Sequence, residues 1–360
     1  MEQFHNALGM LDLMQEPAFC VQSGTIIKIN PAAAGFLIDV GTKIQALLYT
    51  GSEEYAAFSG GCLYLTLAIA GQKVGAWVTR MQEFDVFCIE RDDSDVQLQA
   101  MSLAARELRE PLSNVMTLAD NLFPVLAQQE DGKVQEQVAH INRGLFQMLR
   151  IIGNMSDASR YASNRGTQQE IRDICTVLEE VFHRAVVLTE HTKITLEYAG
   201  YPDRVYMLTD ATKLERMVFN IISNAIKFTP EGGTITAKLT RRGTKMYLSV
   251  CDSGSGIAEN LRGSLFTRYA REPGLEDGRY GVGLGMVLIR STAAAHGGTV
   301  LIAHPDDCGT RITVSLAIRQ GDPVVRSPRF AIDYAGERDH GLIELSDVLP
   351  AQLYDPDTVN

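Results

Sequence analysis

The chain has 360 residues, 45% hydrophobic and 21% charged, a balance that fills the cores of two or three globular domains. Its formal net charge of −11 argues against nonspecific nucleic-acid binding, which needs cationic surface to displace counterions, but leaves room for a local basic site for a small phosphate ligand. The cysteines, Cys20, Cys62, Cys88, Cys175, Cys251 and Cys308, form no CxxC pair; scattered thiols fit a reducing compartment and read mostly as small buried hydrophobes. The opening MEQFHNALGMLDLMQ lacks a basic stretch and a cleavage site, and no apolar run approaches the ~20 residues that cross a bilayer, so a cytoplasmic chain without a membrane span is expected.

Residues 1–92 begin with a short helix-like stretch. Strand-like runs follow at Pro17–Gln22, Thr25–Asn30, Cys62–Ala70, Val74–Met81 and Asp85–Arg91, punctuated by Gly24, Gly60, Gly61 and Gly71. Two more helical segments lie between Pro31 and Tyr55. This order predicts a small mixed α/β domain. Its opening, PAFCVQSGTIIKINPAAAGFL, resembles a PAS sensor domain.

In residues 93–165, Met101, Ala105, Leu108, Leu112, Val115, Ala119, Leu122 and Leu126 alternate spacings of four and three. After a polar break the pattern resumes with Val134, Val138, Ile141, Leu145, Met148, Ile152 and Met155. Such a seam on two helices joined by a short turn predicts an antiparallel hairpin. One hairpin buries only part of its seam, so a homodimer forming a four-helix bundle is expected; an intrachain pair packed on other domains is the alternative.

Residues 166–319 alternate helical patterns (Ile171–Leu188, Ala211–Phe228, Val282–His296) with strand patterns (Ile194–Tyr198, Arg204–Thr209, Thr234–Thr240, Lys245–Cys251, Thr299–His304, Thr310–Ala317). They predict a two-layer α/β sandwich, which makes the whole chain a multidomain α+β protein. Residues 320–360 are rich in proline and charge and read as a tail with one short docking element, Leu342–Leu349.

Three segments carry chemistry. In Glu215–Gly233, Asn220 and Asn224 share a helical face; amide oxygens suit Mg²⁺, and Lys227 can offer a point charge to phosphate. In Val250–Leu261, Asp252 ends an apolar strand, where it can accept a hydrogen bond from an exocyclic amine, and Gly254 and Gly256 allow close backbone approach. In Gly281–Gly298, Gly281, Gly283 and Gly285 open a helix whose bare amides favour an anion.

In this order the segments resemble the N, G1 and G2 boxes of the ATPase domain shared by histidine kinases, gyrase-type ATPases and Hsp90-type chaperones (the GHKL type). Leu265–Arg271 resembles the opening of its mobile lid, and Gly309-Thr310 its closing element. The resemblance implies that Asn224 binds Mg²⁺, that Asp252 reads adenine and that Gly281, Gly283 and Gly285 frame the phosphates of ATP. Asn220, Lys227, Thr229 and Thr310 become secondary contacts. The gyrase and chaperone branches carry a glutamate base where this chain has Asn220. An amide takes no proton near neutral pH, which favours the histidine-kinase branch over direct ATP hydrolysis.

Histidine kinases phosphorylate a histidine in a motif that reads roughly His-Glu-Leu-Arg-x-Pro-Leu. In AARELREPLSNV, Glu107, Leu108, Arg109, Pro111 and Leu112 match, but Arg106 holds the acceptor position. A guanidinium is always protonated and has no lone pair to attack phosphorus. Glu107 then has nothing to deprotonate, and Glu110 replaces the Thr, Asn or Gln of phosphatase-competent members. His140 lies on the second helix without the flanking motif. Three readings stay open: a signalling pseudokinase that senses ATP and contacts a response regulator or other signalling protein; an active kinase using a non-standard acceptor or another chain; and an anti-sigma-type serine kinase.

Overall fold

The computed structural model describes residues 9, 11–81, 83–90, 94–127, 132–162, 169–256, 284–320 and 338–356. Strands β1 (Ala18–Gln22) and β2 (Thr25–Ile29) form a hairpin through Ser23 and Gly24, both at positive φ (49° and 76°), the geometry that a two-residue connection between right-twisted strands requires. Two 3₁₀ turns and the short helix α1 (Ser52–Ala57) follow. Asn30 fixes the first turn, its Oδ1 accepting from Ala18 N at 2.9 Å and Ala33 N at 3.0 Å. Strands β3 (Cys62–Ile69), β4 (Gln72–Arg80) and β5 (Asp85–Ile89) complete an antiparallel sheet in the order β2-β1-β5-β4-β3. Phe19, Ile26, Leu63, Leu65 and Phe87 bury its inner face, with Phe19 and Phe87 stacked at 4.9 Å.

Helices α2 (Ser94–Ala127) and α3 (Gly132–Ala162) run side by side; Arg109 midway along one reaches Ser156 towards the end of the other at 3.4 Å. The expected seam divides in two. Ala105, Leu112 and Ala119 on α2 and Val138, Leu145 and Ile152 on α3 are buried. Leu108, Val115, Leu122, Ile141 and Met148 are exposed. Met116, Phe123 and Phe146, outside the expected seam, are buried instead. On α2, Met116 and Phe123 stand four residues beyond Leu112 and Ala119 and share their face, so the buried stripe is turned part of the way round the helix from the expected seam.

Beyond the pair come β6 (Glu170–Asp173), α4 (Ile174–Thr189), β7 (Thr195–Ala199), β8 (Tyr206–Thr209), α5 (Ala211–Phe228), β9 (Thr234–Arg242), β10 (Lys245–Asp252), α6 (Leu284–Ala295), β11 (Val300–Ala303) and β12 (Thr310–Ala317). The helix expected from Ile171 starts three residues later. Ile171 and Arg172 pair with Leu208 and Met207 in a separate two-stranded sheet, and Asp173 caps α4 by accepting from Cys175 N at 3.2 Å. The main strands lie in the order β11-β12-β10-β9-β7, parallel only between β7 and β9. On β9, Ile235, Ala237 and Leu239 are buried while Thr236 and Lys238 are exposed, so the helical layer covers one face.

One connection has no counterpart in the sequence pattern. β11 also pairs antiparallel with β3, Val300 opposite Tyr64 and Ile302 opposite Cys62, so both sheets form one ten-stranded sheet. Side chains reinforce the seam: Glu54 accepts from Lys245 Nζ at 2.7 Å and Tyr247 Oη at 3.0 Å, and Glu90 accepts from Tyr64 Oη at 2.8 Å and pairs with the buried Arg290. The last described segment carries α7 (His340–Glu344) and buries Ile343, Leu345, Leu349 and Tyr354, a more extensive docking than one short patch suggests. Cys251 and Cys308 form a disulfide, correcting the expectation of unpaired thiols. They stand 57 residues apart, a spacing that matches no motif. Cys20, Cys62 and Cys88 are buried as expected. Among the described residues, no helix is long and apolar enough to cross a membrane.

Candidate functional site

Helix α5 begins at Asp210, whose Oδ1 accepts from Lys213 N at 3.1 Å, and carries one polar line through Asn220, Asn224 and Lys227. Asn220 is buried and donates from Nδ2 to Arg216 O at 2.8 Å. Its Oδ1 is buried without a hydrogen-bond partner among the described residues. The start of α6 lies directly opposite: a Cβ on Gly285 would stand 2.8 Å from that oxygen, so a side chain there would crowd it. Asn224, one turn on, is half-buried. Lys227 donates to Asp347 Oδ2 at 3.0 Å; burial lowers the pKa of its ammonium, against the pull of the Asp347 carboxylate. Thr229 ends the helix with its hydroxyl on Ala225 O at 2.7 Å.

Asp252 closes β10 between β9 and β12, buried at 7% exposure. Its Oδ1 accepts from Gly254 N at 2.9 Å and Thr310 N at 3.1 Å, and its carbonyl accepts from Gly309 N at 2.7 Å. Burial raises the carboxyl pKa above the usual range, against those hydrogen bonds. Gly254 and Gly309 are in close backbone contact, and a Cβ on Gly254 would strike Phe228 O, which leaves no room for side chains. Gly256, at φ 77°, backs onto His304, whose Nδ1 contacts Gly309 O. Thus strand end, glycine turn and β12 form one cradle at the C-terminal end of α5.

Asn220, Asn224 and Lys227 therefore lie on α5, with Asn220 facing Gly285 of α6, while Asp252, Gly254, Gly256 and Thr310 meet around the end of β10 beside Phe228, the last residue of α5. Gly281, Gly283 and Leu265–Arg271 lie outside the described residues. Reading the sequence missed two neighbours of the cradle, His304 and Cys308; only their closeness to Gly309 could have marked them. The helical pair meets this region too: Met101 of α2 and Met155 of α3 pack against Leu284 and Val287 at the start of α6. Arg106 and Glu107, little more than a turn beyond Met101, are exposed, as is His140.

Residues 209–320 match the family described as histidine kinase-, DNA gyrase B- and HSP90-like ATPases. A histidine kinase of Formosa agariphila is 26% identical over 233 residues, 63% of this chain and 17% of that one. The histidine protein kinase DivJ of Caulobacter vibrioides is 26% identical over 225 residues, 62% of this chain and 38% of its own length. The chain thus spans well under half the length of these relatives. Among solved structures, full-length ShkA in complex with AMPPNP is 20% identical, with a TM-score of 0.48 over 63% of this chain and 47% of that one. Residues 209–320 thus carry the type of ATPase domain that histidine kinases share with DNA gyrase B and HSP90, and the chain is similar to histidine kinases over 62–63% of its length.

Proposed function

We propose that the chain binds magnesium-ATP between α5 and the Asp252 cradle, and that it acts as a signalling pseudokinase, responding to the nucleotide without phosphorylating itself at the family position. The observation that carries the first half is Asp252: a buried acceptor at a strand end, held by two backbone amides where glycines admit a flat ring. Its carboxylate accepts from the adenine amine. The amide oxygens of Asn220 and Asn224 fit a hard cation, and the Oδ1 of Asn220, unpartnered among the described residues, is a buried acceptor awaiting a donor or an ion. When bound, Mg²⁺ neutralises phosphate charge; Asn224, the more accessible amide, would hold it, with Lys227 and the start of α6 meeting the phosphates.

Arg106 carries the second half. It stands exposed on the helix that packs against α6, where the family places its nucleophile, and it offers no lone pair. In this reading, residues 1–92 are a PAS-like sensor, 93–165 a degenerate dimerisation hairpin, 166–319 the ATP-binding domain and 320–360 the tail. The exposed half of the helical seam supports a homodimer, and a response regulator or another signalling protein would read the resulting shape. The test is incubation with γ-labelled ATP beside an Arg106→His variant. Acid-labile label on the variant alone is the expected result; label on the unaltered chain refutes the pseudokinase.

A further inference from the structure

Residues 338–356 are built into the nucleotide-binding half by charge as much as by apolar contact. Glu344 is fully buried, and a buried carboxylate needs cations. It takes the Nε of Arg216 on α5 at 2.9 Å and lies 3.7 Å from that of Arg150 on α3. Arg216 also reaches Asn154 of α3 at 2.6 Å and pairs with Asp157. Arg150 bonds Ser223 of α5 at 3.1 Å and pairs with Asp347. Arg143 and Gln147 of α3 bond the carbonyl of Ser346 at 2.9 and 3.2 Å, which fixes where Asp347 falls. Its carboxylate then meets Lys227 at 3.0 Å.

Lys227 is the cation that the proposed function gives to phosphate, and only 9% of its side chain is exposed. An ammonium so enclosed cannot serve a second anion at full strength while it serves the first. A triphosphate arriving at α5 also meets the negative charge of Asp347. We propose that residues 338–356 are an intramolecular latch in which Asp347 takes, on Lys227, the place of a phosphate oxygen, so that nucleotide binding and seating of the C-terminal segment oppose one another. The same carboxylate is tied to Arg150 on α3, so a nucleotide that displaces it also loosens α5 from the helical pair. Burial alone would raise the Asp347 pKa, but Arg150, Lys227 and Arg143 outweigh it and hold it below the ordinary range, so the latch is charged at neutral pH.

The inference rests on the magnesium-ATP reading, and the experiment separates the two. Binding of adenylyl imidodiphosphate with Mg²⁺ is measured by calorimetry on the full chain and on Asp347→Asn, with adenosine as the ligand that lacks phosphate. About tenfold tighter binding of the analogue by the variant, with adenosine unchanged, is expected. Equal affinities overturn the latch while leaving the nucleotide reading intact; no binding by either protein removes that reading and the latch with it. Hydrogen exchange on the unaltered chain decides independently of whether the variant folds. Amides of residues 338–356 should lose protection when the analogue saturates, and unchanged protection overturns the proposal.

Discussion

Asp252 concentrates the chemistry of the site in one carboxyl group, and its surroundings set how it responds to change. Asn in its place keeps the shape and still accepts from Gly254 and Thr310, but removes the charge that strengthens a bond to adenine. A hydrogen bond to a charged group contributes about 1.5–3 kcal/mol, so Asp252→Asn should weaken ATP-analogue binding roughly ten- to a hundredfold in a calorimetric titration. His296 makes a second prediction at this scale. Buried on α6's C-terminal side, it accepts from Asp210 N through Nε2 at 3.1 Å and meets Thr292 O through Nδ1 at 2.8 Å, a pattern that fits only the neutral ring. Burial lowers its pKa. The unfolded chain then binds this proton more readily than the folded one. The stabilisation is complete above the unfolded value of about 6.5 and is lost as pH falls from there towards the depressed folded value. Thermal melts between pH 7.5 and 5 should show this decline, and a flat profile would count against it.

Among the elements, the helical pair best shows what a linear pattern holds and what it omits. The repeat at four and three residues announced two long helices, and α2 and α3 are there. It could not say which half of the seam each neighbour takes, because both halves are apolar and only packing separates them. Leu108, Val115 and Leu122 on α2 and Ile141 and Met148 on α3 face outward. Paired charges there should leave the fold intact and break the proposed dimer: Val115→Glu with Leu122→Glu should turn a dimer into a monomer by size exclusion with light scattering. A monomer before substitution would contradict the expected bundle. The proposed nucleotide site was readable for a different reason. Asp252 and Gly254 sit where a strand end or a close backbone approach admits few alternatives, so residue type marks them as candidates. The start of α4 was misplaced because Ile171 and Arg172 suit strand and helix equally, and the deciding partner, β8, lies more than thirty residues away. Asp347 was invisible for the same reason, since nothing near it in the chain names Lys227.

At the scale of the molecule, the union of β3 with β11 outweighs any single contact. It places Glu90, just after β5, against Arg290 on α6, the helix whose second residue is Gly285. A change in the N-terminal strands therefore has a direct route to α6 that does not pass along the helical pair. Arg290 is 2% exposed, and a hydrogen bond to a charged group contributes about 1.5–3 kcal/mol, so Glu90→Ala should lower the stability of the full chain by about that amount in denaturant titration. With backbone hydrogen bonds crossing the boundary, calorimetry should show the two sheets melting in one transition; two separated transitions would argue that the seam is weak. The union also bears on how the protein behaves in a crowded solution. A strand with an unpaired flank invites a stranger to add to it. By lying flank to flank, the two sheets hide one such invitation each. Among the described residues the large sheet then ends at β2 and β7, strands of five residues apiece, which offer an intruding chain little to copy.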